Sequence, residues 1–368
     1  MMQSPVSSLN AICPYFTMYP LEFPLRVLAE EQKVAKKWVY DPFCGRGTTN
    51  FAARLRGMPS VGVDSSPVAV AIAKAKMVTV SAESVLQTAT EILSDSIQPR
   101  DLPRGPFWNW AFGENTLFDI CKFREEFLRD CGSPSRQVLR AILLGALHGP
   151  KCKGQPSHLS NQCPRTFAPK PAYAVKFWKR HKLRPKEVAV LPVVRRRAER
   201  YLTPSLPRAE GRVLHKDSRE WFDGSLTGRF SWVITSPPYY GMRTYIPDQW
   251  LRHWFVGGDP EIEYLSRSAD LRHSSPAVFS EQLKQVWSHA ARMSKPNAQL
   301  VCRFGGIHDR HQDCIDILKA SFRDSGWKLK TIRHAGTALD GRRQAKQFGK
   351  GQHRQPRAEY DAYARKVD

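Results

Sequence analysis

Residues 38–49 read WVYDPFCGRGTT, and the prediction of the fold begins with them. The apolar residues 38–40 predict a strand, the two glycines that follow predict a tight turn, and residues 48–56 predict a helix. Such a turn lets a ligand approach the backbone beside the positive end of the helix dipole. The stretch therefore predicts the first strand and helix of an open α/β sheet that binds a ligand at the carboxyl ends of its strands.

A second strand is predicted at 60–63, and it ends in an acid, Asp64, 17 residues after Gly47. An acid at the tip of the second strand can accept hydrogen bonds from both ribose hydroxyls of a nucleoside cofactor. The alternative is that Asp64 caps the next helix, because Asp-Ser-Ser-Pro also suits a helix start. The glycine-rich turn beside it favours the cofactor role.

The sequence TSPPYY at 235–240 directly follows an apolar strand predicted at 232–234. Two prolines cannot continue a strand inside a sheet, so the chain must turn out at the carboxyl edge, where ligands bind in open α/β folds. A hydroxyl group, a free carbonyl acceptor and an aromatic ring are therefore presented together at that edge.

Together, DPFCGRGTT, VGVD at 61–64 and TSPPY resemble the motifs of the DNA amino-methyltransferases, which methylate N4 of cytosine or N6 of adenine. Residues 17–22, TMYPLE, resemble the segment that precedes the glycine-rich motif in that family. The resemblance covers about 13–78 and 212–335. It implies a Rossmann-like, doubly wound methyltransferase sheet, S-adenosyl-L-methionine as cofactor and double-stranded DNA with the target base flipped out. A restriction endonuclease acting on the same site is a candidate partner.

The resemblance also implies roles for single residues. Ser236 and the Pro237 carbonyl would accept hydrogen bonds from the target amine, and Tyr239 would stack on the flipped base. Because the motif starts with Ser rather than Asp or Asn, it favours cytosine N4 over adenine N6. For Asp217, expected near the cofactor's adenine amine, a helix cap is the alternative. The predicted catalytic residues are Ser236, Pro237, Pro238 and Tyr239, and the predicted cofactor-binding residues are Thr17, Pro20, Asp41, Phe43, Gly45, Gly47, Asp64 and Asp217.

The 57 Lys and Arg exceed the 34 Asp and Glu, and the net charge of +23 favours a polyanionic partner such as nucleic acid. Residues 151–212 contain sixteen Lys or Arg and three acids, so +13 of that charge lies there, interleaved with aromatic residues. We interpret this part as a DNA-recognition region, with a solvated basic face as the alternative. The residues predicted to bind DNA are Lys179, Arg180, Arg195, Arg196 and Arg197.

The predicted division is a cofactor-binding half at 1–80, a helical and basic insertion at 81–211, a catalytic half at 212–335 and a basic tail at 336–368. The tail is expected to be a flexible arm or a lid over nucleic acid. No metal site is expected from His148, Cys152, His158 and Cys163, since their spacing fits no zinc finger. Scattered cysteines and the absence of an apolar span or a leader predict a cytoplasmic, nucleoid-associated protein.

Three other functions stay open on the sequence alone: methylation of adenine N6, methylation of an RNA amine, and nucleic-acid binding without catalysis. Methylation of cytosine C5 is not expected, because that reaction needs a nucleophilic thiolate and no Pro-Cys dipeptide follows the fourth strand.

Overall fold

A computed structural model describes residues 5–15, 19–32, 34, 36–149, 156–163, 170–202, 206–240, 246–262, 275–305, 313–337 and 358–367. The chain divides into two units. We call one the helical unit, formed by Met1–Phe16, Lys74–Leu206 and Thr244–Leu265. We call the other the sheet unit, formed by Thr17–Ala73, Pro207–Arg243 and Ser266–Asp368.

The strands are β1 (Trp38–Asp41), β2 (Ser60–Asp64), β3 (Gly211–His215), β4 (Phe230–Thr235), β5 (Ser294–Gly305), β6 (Trp327–Thr337) and β7 (Ala358–Lys366). The described helices are α1 (Glu22–Ala29), α2 (Thr48–Leu55), α3 (Pro67–Met77), α4 (Ala82–Ser94), α5 (Pro106–Ala111), α6 (Glu114–Arg129), α7 (Pro134–Ala146), α8 (Pro171–Arg180), α9 (Val190–Tyr201), α10 (Ile246–Phe255), α11 (Pro276–Met293) and α12 (Cys314–Phe322). Short 3₁₀ helices lie at Pro5–Ala11 and Gly224–Leu226.

The sheet unit is built on one seven-stranded sheet in the order β3-β2-β1-β4-β5-β7-β6. The first five strands in that order pair in parallel, whereas β7 pairs antiparallel to both of its neighbours. Every residue of β1 and β4 is buried, as expected of strands covered on both faces. The prediction of a Rossmann-like, doubly wound α/β sheet is confirmed.

The strand order reverses between β1 and β4, since β1 leads to β2 on one side and β4 leads to β5 on the other. Ligands of open α/β sheets bind in the crevice outside the carboxyl ends of the strands at such a reversal. The glycine-rich turn follows β1 and the SPPY loop (Ser236–Tyr239) follows β4, so both predicted motifs lie at this point of the sheet.

The end of the chain differs from the predicted tail. Residues 358–366 form β7, which lies between β5 and β6 instead of extending from the sheet. Two of its acids, Glu359 and Asp361, are each only 3% exposed. Asp361 is buried because the Arg303 guanidinium binds it with two hydrogen bonds, of 2.7 and 2.8 Å, so the charged residues do not mark a solvated segment.

The helical unit also differs in extent from the predicted insertion, because it includes residues before α1 and the whole of α10. The aromatic side chains of α10 explain why this helix belongs to the helical unit. Trp250 and Trp254 pack against Trp108 at ring-centroid distances of 5.8 and 4.5 Å, and Phe255 packs against Phe127. These side chains form part of the apolar core of the helical unit.

Of the four residues from which no metal site was expected, Cys152 lies outside the described residues, and His148 and His158 are both engaged with serines. The Nδ1 atoms of these histidines contact the serine hydroxyls of Ser160 and Ser157, respectively. Burial lowers the pKa of His148 to about 4 and that of His158 to about 3. Within the described ranges, no three metal-ligating side chains come together, and no helix is long and apolar enough to cross a membrane.

Removing one partner of a buried ion pair leaves the other charge without compensation. The side chains of Arg303 and Asp361 are 6% and 4% exposed, so we expect Asp361→Ala to lower the free energy of unfolding by about 3–5 kcal/mol. Urea denaturation followed by circular dichroism measures this change. The control is Arg365→Ala at an exposed position of the same strand. Equal, small effects of both substitutions would contradict a structural role for β7.

Candidate functional site

The turn after β1 has a backbone conformation that favours glycine at two positions. Gly45 and Gly47 have φ angles of +50° and +75°, where side chains with a Cβ are strained. A Cβ atom on Gly47 would lie 2.8 Å from the Cβ of Ala73, so the glycine also allows α3 to approach closely. The Cys44 amide donates to the Val63 carbonyl at 2.9 Å and fixes the turn to β2.

Asp64 connects the end of β2 to this turn. Its Oδ2 atom accepts a hydrogen bond of 2.8 Å from the Gly45 amide, and its Oδ1 atom accepts one of 2.8 Å from the Ser66 amide. The cap of α3 is supplied by Ser66, whose hydroxyl accepts from the Ala69 amide at 3.3 Å. Asp64 therefore does not act as the helix cap, and its half-buried carboxylate lies against the glycine-rich turn.

Asp41 lies beneath the turn and is fully buried. Its Oδ1 atom accepts hydrogen bonds from the Thr235 hydroxyl at 2.6 Å and from the Phe43 amide at 3.1 Å. Its Oδ2 atom accepts from the Tyr19 hydroxyl at 3.1 Å. Burial raises the pKa of Asp41 to about 6, although these hydrogen bonds act in the opposite direction.

Thr49, in the first turn of α2, completes this network. Its hydroxyl donates to the Ile234 carbonyl at 3.1 Å and contacts the Tyr19 hydroxyl. The network thus joins β1, β4, α2 and the segment before α1. Asp41 was predicted to bind the cofactor, but its fully buried carboxylate instead positions the turn and the end of β4.

The SPPY loop leaves the sheet directly after Thr235, the β4 residue that binds Asp41. Pro237 is buried, whereas Ser236, Pro238 and Tyr239 are half-buried. The loop is therefore fixed at its start by the Asp41 network and retains partly accessible groups beyond it.

The Tyr239 ring is held by residues of β5 and β7. Its hydroxyl donates to Glu359 Oε1, and its ring lies edge-on to Phe304 with centroids 5.6 Å apart. A Cβ atom at Gly305 would lie 3.0 Å from the Tyr239 ring, so glycine leaves the space that the tyrosine occupies. Glu359 was not among the predicted site residues, because it lies in the part of the sequence expected to form the tail. Ala358, Tyr360, Ala362 and Ala364 alternate with mostly polar residues, and this alternation is the signal in the sequence that could have identified the strand.

Asp217 is engaged in an ion pair. The Arg219 guanidinium contacts both of its carboxylate oxygens, and the two side chains are only 12% and 11% exposed. The Arg219 amide also donates to Asp217 Oδ1 at 2.9 Å. Residues 218–220 form a turn and not a helix, so these contacts hold Asp217 in a turn and do not support the helix-cap alternative. The Lys216 amide donates to the Asp64 carbonyl and joins this segment to the end of β2.

The other predicted cofactor residues have different surroundings. Phe43 is half-buried and meets Trp287 edge-on, with ring centroids 6.2 Å apart. Pro20 is exposed. Thr17 lies outside the described residues.

The residues predicted to bind DNA lie on two helices of the helical unit. Lys179 and Arg180 on α8 and Arg195 on α9 are exposed. Arg196 donates to the Pro156 carbonyl, and Arg197 donates to the Ser157 carbonyl through Nε at 3.2 Å and a terminal nitrogen at 2.8 Å. Burial lowers the pKa of Arg197. The run of three arginines is therefore divided between an exposed cation and two that bind backbone.

The sequence matches no family model, and no curated protein matches it. Among solved structures, the chain resembles the rRNA methyltransferase aviRa from Streptomyces viridochromogenes at 13% identity and a TM-score of 0.37, covering 99% of this chain and 93% of that one. It also resembles an S-adenosylmethionine-dependent methyltransferase from Methanosarcina mazei at 9% identity and a TM-score of 0.36, with 96% of this chain and 99% of that one covered. A third similar structure is a 16S rRNA (adenine(1408)-N(1))-methyltransferase from Catenulisporales acidiphilia, at 12% identity and a TM-score of 0.35, with 96% of this chain and 93% of that one covered. Such low TM-scores and identities carry no conclusion about activity or substrate.

Asp41 should make stability depend on pH. An unfolded Asp has a pKa of about 3.9, so the folded protein binds this proton more tightly, and the contribution of Asp41 to stability falls as pH rises through about 4 to 6. Asp41→Asn removes this titration. We expect the free energy of unfolding of the variant, relative to wild type, to increase by about 2 kcal/mol between pH 4 and pH 7. Urea denaturation at both pH values measures it, and a pH-independent difference would contradict the assignment.

Arg195 and Arg197 allow a matched comparison on one helix. Arg195→Glu should weaken DNA binding and reduce the slope of log affinity against log salt by about one unit, without a large loss of stability. Arg197→Glu should lower the melting temperature by several degrees, because it removes the two hydrogen bonds to Ser157. Fluorescence anisotropy over a salt series and thermal denaturation measure the two effects. An unchanged slope for Arg195→Glu would return that residue to a solvated basic face.

Proposed function

We propose that the chain is an S-adenosyl-L-methionine-dependent methyltransferase that acts on the N4 amine of cytosine in DNA. The observation that carries the proposal is the arrangement at the reversal of strand order. There the glycine-rich turn with Asp64 and the SPPY loop follow neighbouring strands, and the buried Asp41 joins the two. This arrangement supports a cofactor site beside a site for a planar amine.

The turn and its neighbours fit a nucleoside cofactor. A Cβ atom built at Gly45 would meet no atom within 4 Å, so a ligand can reach the backbone there. Asp64 is half-buried beside the turn, and a carboxylate at the end of the second strand is the kind of acceptor that binds ribose hydroxyls. Asp217 is paired with Arg219, so we assign it no cofactor contact. When bound, S-adenosyl-L-methionine supplies an electrophilic methyl group on a positively charged sulfur.

The SPPY loop supplies what an aromatic amine needs in order to react. The lone pair of such an amine is delocalised into the ring, so the amine is a poor nucleophile until its hydrogens are held and its lone pair is oriented. Ser236 Oγ and the Pro237 carbonyl can accept those hydrogens. The new N–C bond then forms as the C–S bond breaks, and the amine loses one proton to solvent. Tyr239, fixed by Glu359, would support the flipped base.

The proposal also names cytosine as the target base and DNA as the substrate. Ser as the first residue of the motif favours cytosine N4, by resemblance. The net charge of +23 and the exposed cations Lys179, Arg180 and Arg195 favour a polyanion. Adenine N6 and an RNA amine are the alternatives that the test below distinguishes.

The test is to incubate the purified protein and S-adenosyl-L-methionine with unmethylated genomic DNA, and in parallel with RNA, and to identify methylated nucleosides by mass spectrometry. N4-methyldeoxycytidine is expected. N6-methyldeoxyadenosine would correct the target base, and a methylated product from RNA alone would replace DNA as the substrate. No product from either, with cofactor binding shown by calorimetry, would overturn the proposal.

Ser236→Ala separates catalysis from binding. Loss of a hydrogen bond that holds the reacting amine should lower kcat about 10- to 100-fold and change the DNA dissociation constant less than about twofold. Single-turnover methylation and fluorescence anisotropy measure the two quantities. Ser225→Ala, at an exposed position of the sheet unit, is the control. An equal loss of turnover and affinity would contradict the role assigned to Ser236.

A further inference from the structure

The helical unit contains a cavity of about 640 Å³ beside its aromatic core, within the size range of small-molecule sites. It is lined by residues 104–108 at the start of α5, by one side of α8, by Trp250 of α10 and by residues 260–262. Phe107, Trp108 and Trp250 form part of its inner wall and are at most 5% exposed. Prolines and aliphatic side chains such as Val175 supply more of the apolar lining. We call this cavity the helical-unit cleft.

Charged side chains surround the opening of the cleft. Arg104, Lys176 and Lys179 contribute three cations, and Glu261 contributes one carboxylate. All four are exposed, and none forms an ion pair with another residue in the described part of the chain. The cleft thus combines an apolar interior with a net positive rim.

We propose that the helical-unit cleft binds a nucleotide, with the base against the apolar wall and the phosphate against Lys176 and Lys179. A planar heterocycle that carries a phosphate matches both parts of the cleft. An uncharged apolar ligand would leave the three cations unused, and an inorganic anion would leave the apolar wall unfilled. The inference concerns the helical unit only and does not depend on methyl transfer.

Glu261 adds a preference among bases. Its carboxylate can accept a hydrogen bond from an exocyclic amino group, as in the recognition of cytosine N4 by acidic residues. Cytosine, adenine and guanine carry such a group, and thymine does not. The cleft should therefore bind thymidine monophosphate most weakly of the four nucleotides.

The experiment is isothermal titration calorimetry of the full chain, without cofactor, against the four deoxynucleoside 5′-monophosphates, deoxycytidine and inorganic phosphate. We expect the monophosphates of cytosine, adenine and guanine to bind more tightly than thymidine monophosphate. Deoxycytidine and phosphate should each bind at least about tenfold more weakly than deoxycytidine monophosphate, since each makes only part of the contacts. Phosphate binding as tightly as the nucleotides would overturn the proposal.

Variants locate the binding. Lys176→Glu should weaken deoxycytidine monophosphate about tenfold or more, because it replaces an attraction by a repulsion. Ala172→Trp, at an exposed lining position, fills the cleft without changing its charge and should abolish binding. Lys186→Glu makes the same charge change at an exposed position of the helical unit outside the cleft and should retain the wild-type affinity. Unchanged affinity in Ala172→Trp would place the nucleotide elsewhere and overturn the proposal.

The nucleotide in the cleft can be part of a nucleic-acid strand or a free mononucleotide from solution. Single-stranded oligonucleotides with one 2-aminopurine distinguish these sources, because the fluorescence of this base changes when its stacking changes. A fluorescence change that Ala172→Trp removes and that mononucleotide reverses identifies a nucleotide of a strand. Mononucleotide binding without such a change identifies a free nucleotide. Failure of all nucleotides to bind would overturn this inference and leave the methylation test unaffected.

Discussion

The site of the sheet unit depends on one buried carboxylate. Asp41 ends β1, and its two oxygens bind Thr235 at the end of β4, the amide of Phe43 in the turn, and Tyr19 before α1. A buried carboxyl group is unfavourable unless its hydrogen bonds are satisfied, and here hydroxyl and amide donors satisfy them. The interaction therefore fixes the distance between the two loops that carry the proposed chemistry.

Local patterns were sufficient to predict this part of the fold. The strand before Asp41, the glycine-rich turn and the proline-interrupted loop are each determined by a few neighbouring residues. The structure contains all three at the predicted positions. Pairs distant in sequence were not predictable. Glu359 and Asp361 read as a solvated charged segment because their partners, Tyr239 and Arg303, lie more than fifty residues away.

The basic region shows the same limit. A run of three arginines indicates a polyanion site when only charge is considered. The direction of each side chain decides its role, and the Ser157 carbonyl 40 residues from Arg197 cannot be identified from composition. Similarly, the carboxylate of Asp217 was expected to contact the cofactor, but it accepts a hydrogen bond from the guanidinium of Arg219, two residues later.

The position of β7 has a consequence for how the sheet assembles. β7 is the last described strand in the sequence, yet it lies between β5 and β6 and pairs with both. Until it is in place, β5 presents a row of unpaired amides and carbonyls, which is the kind of edge that recruits other chains. β7 covers that edge along seven residues of β5 and leaves β6 as the outer strand, so the last described strand is what separates the parallel core from contact with other chains at this side of the sheet.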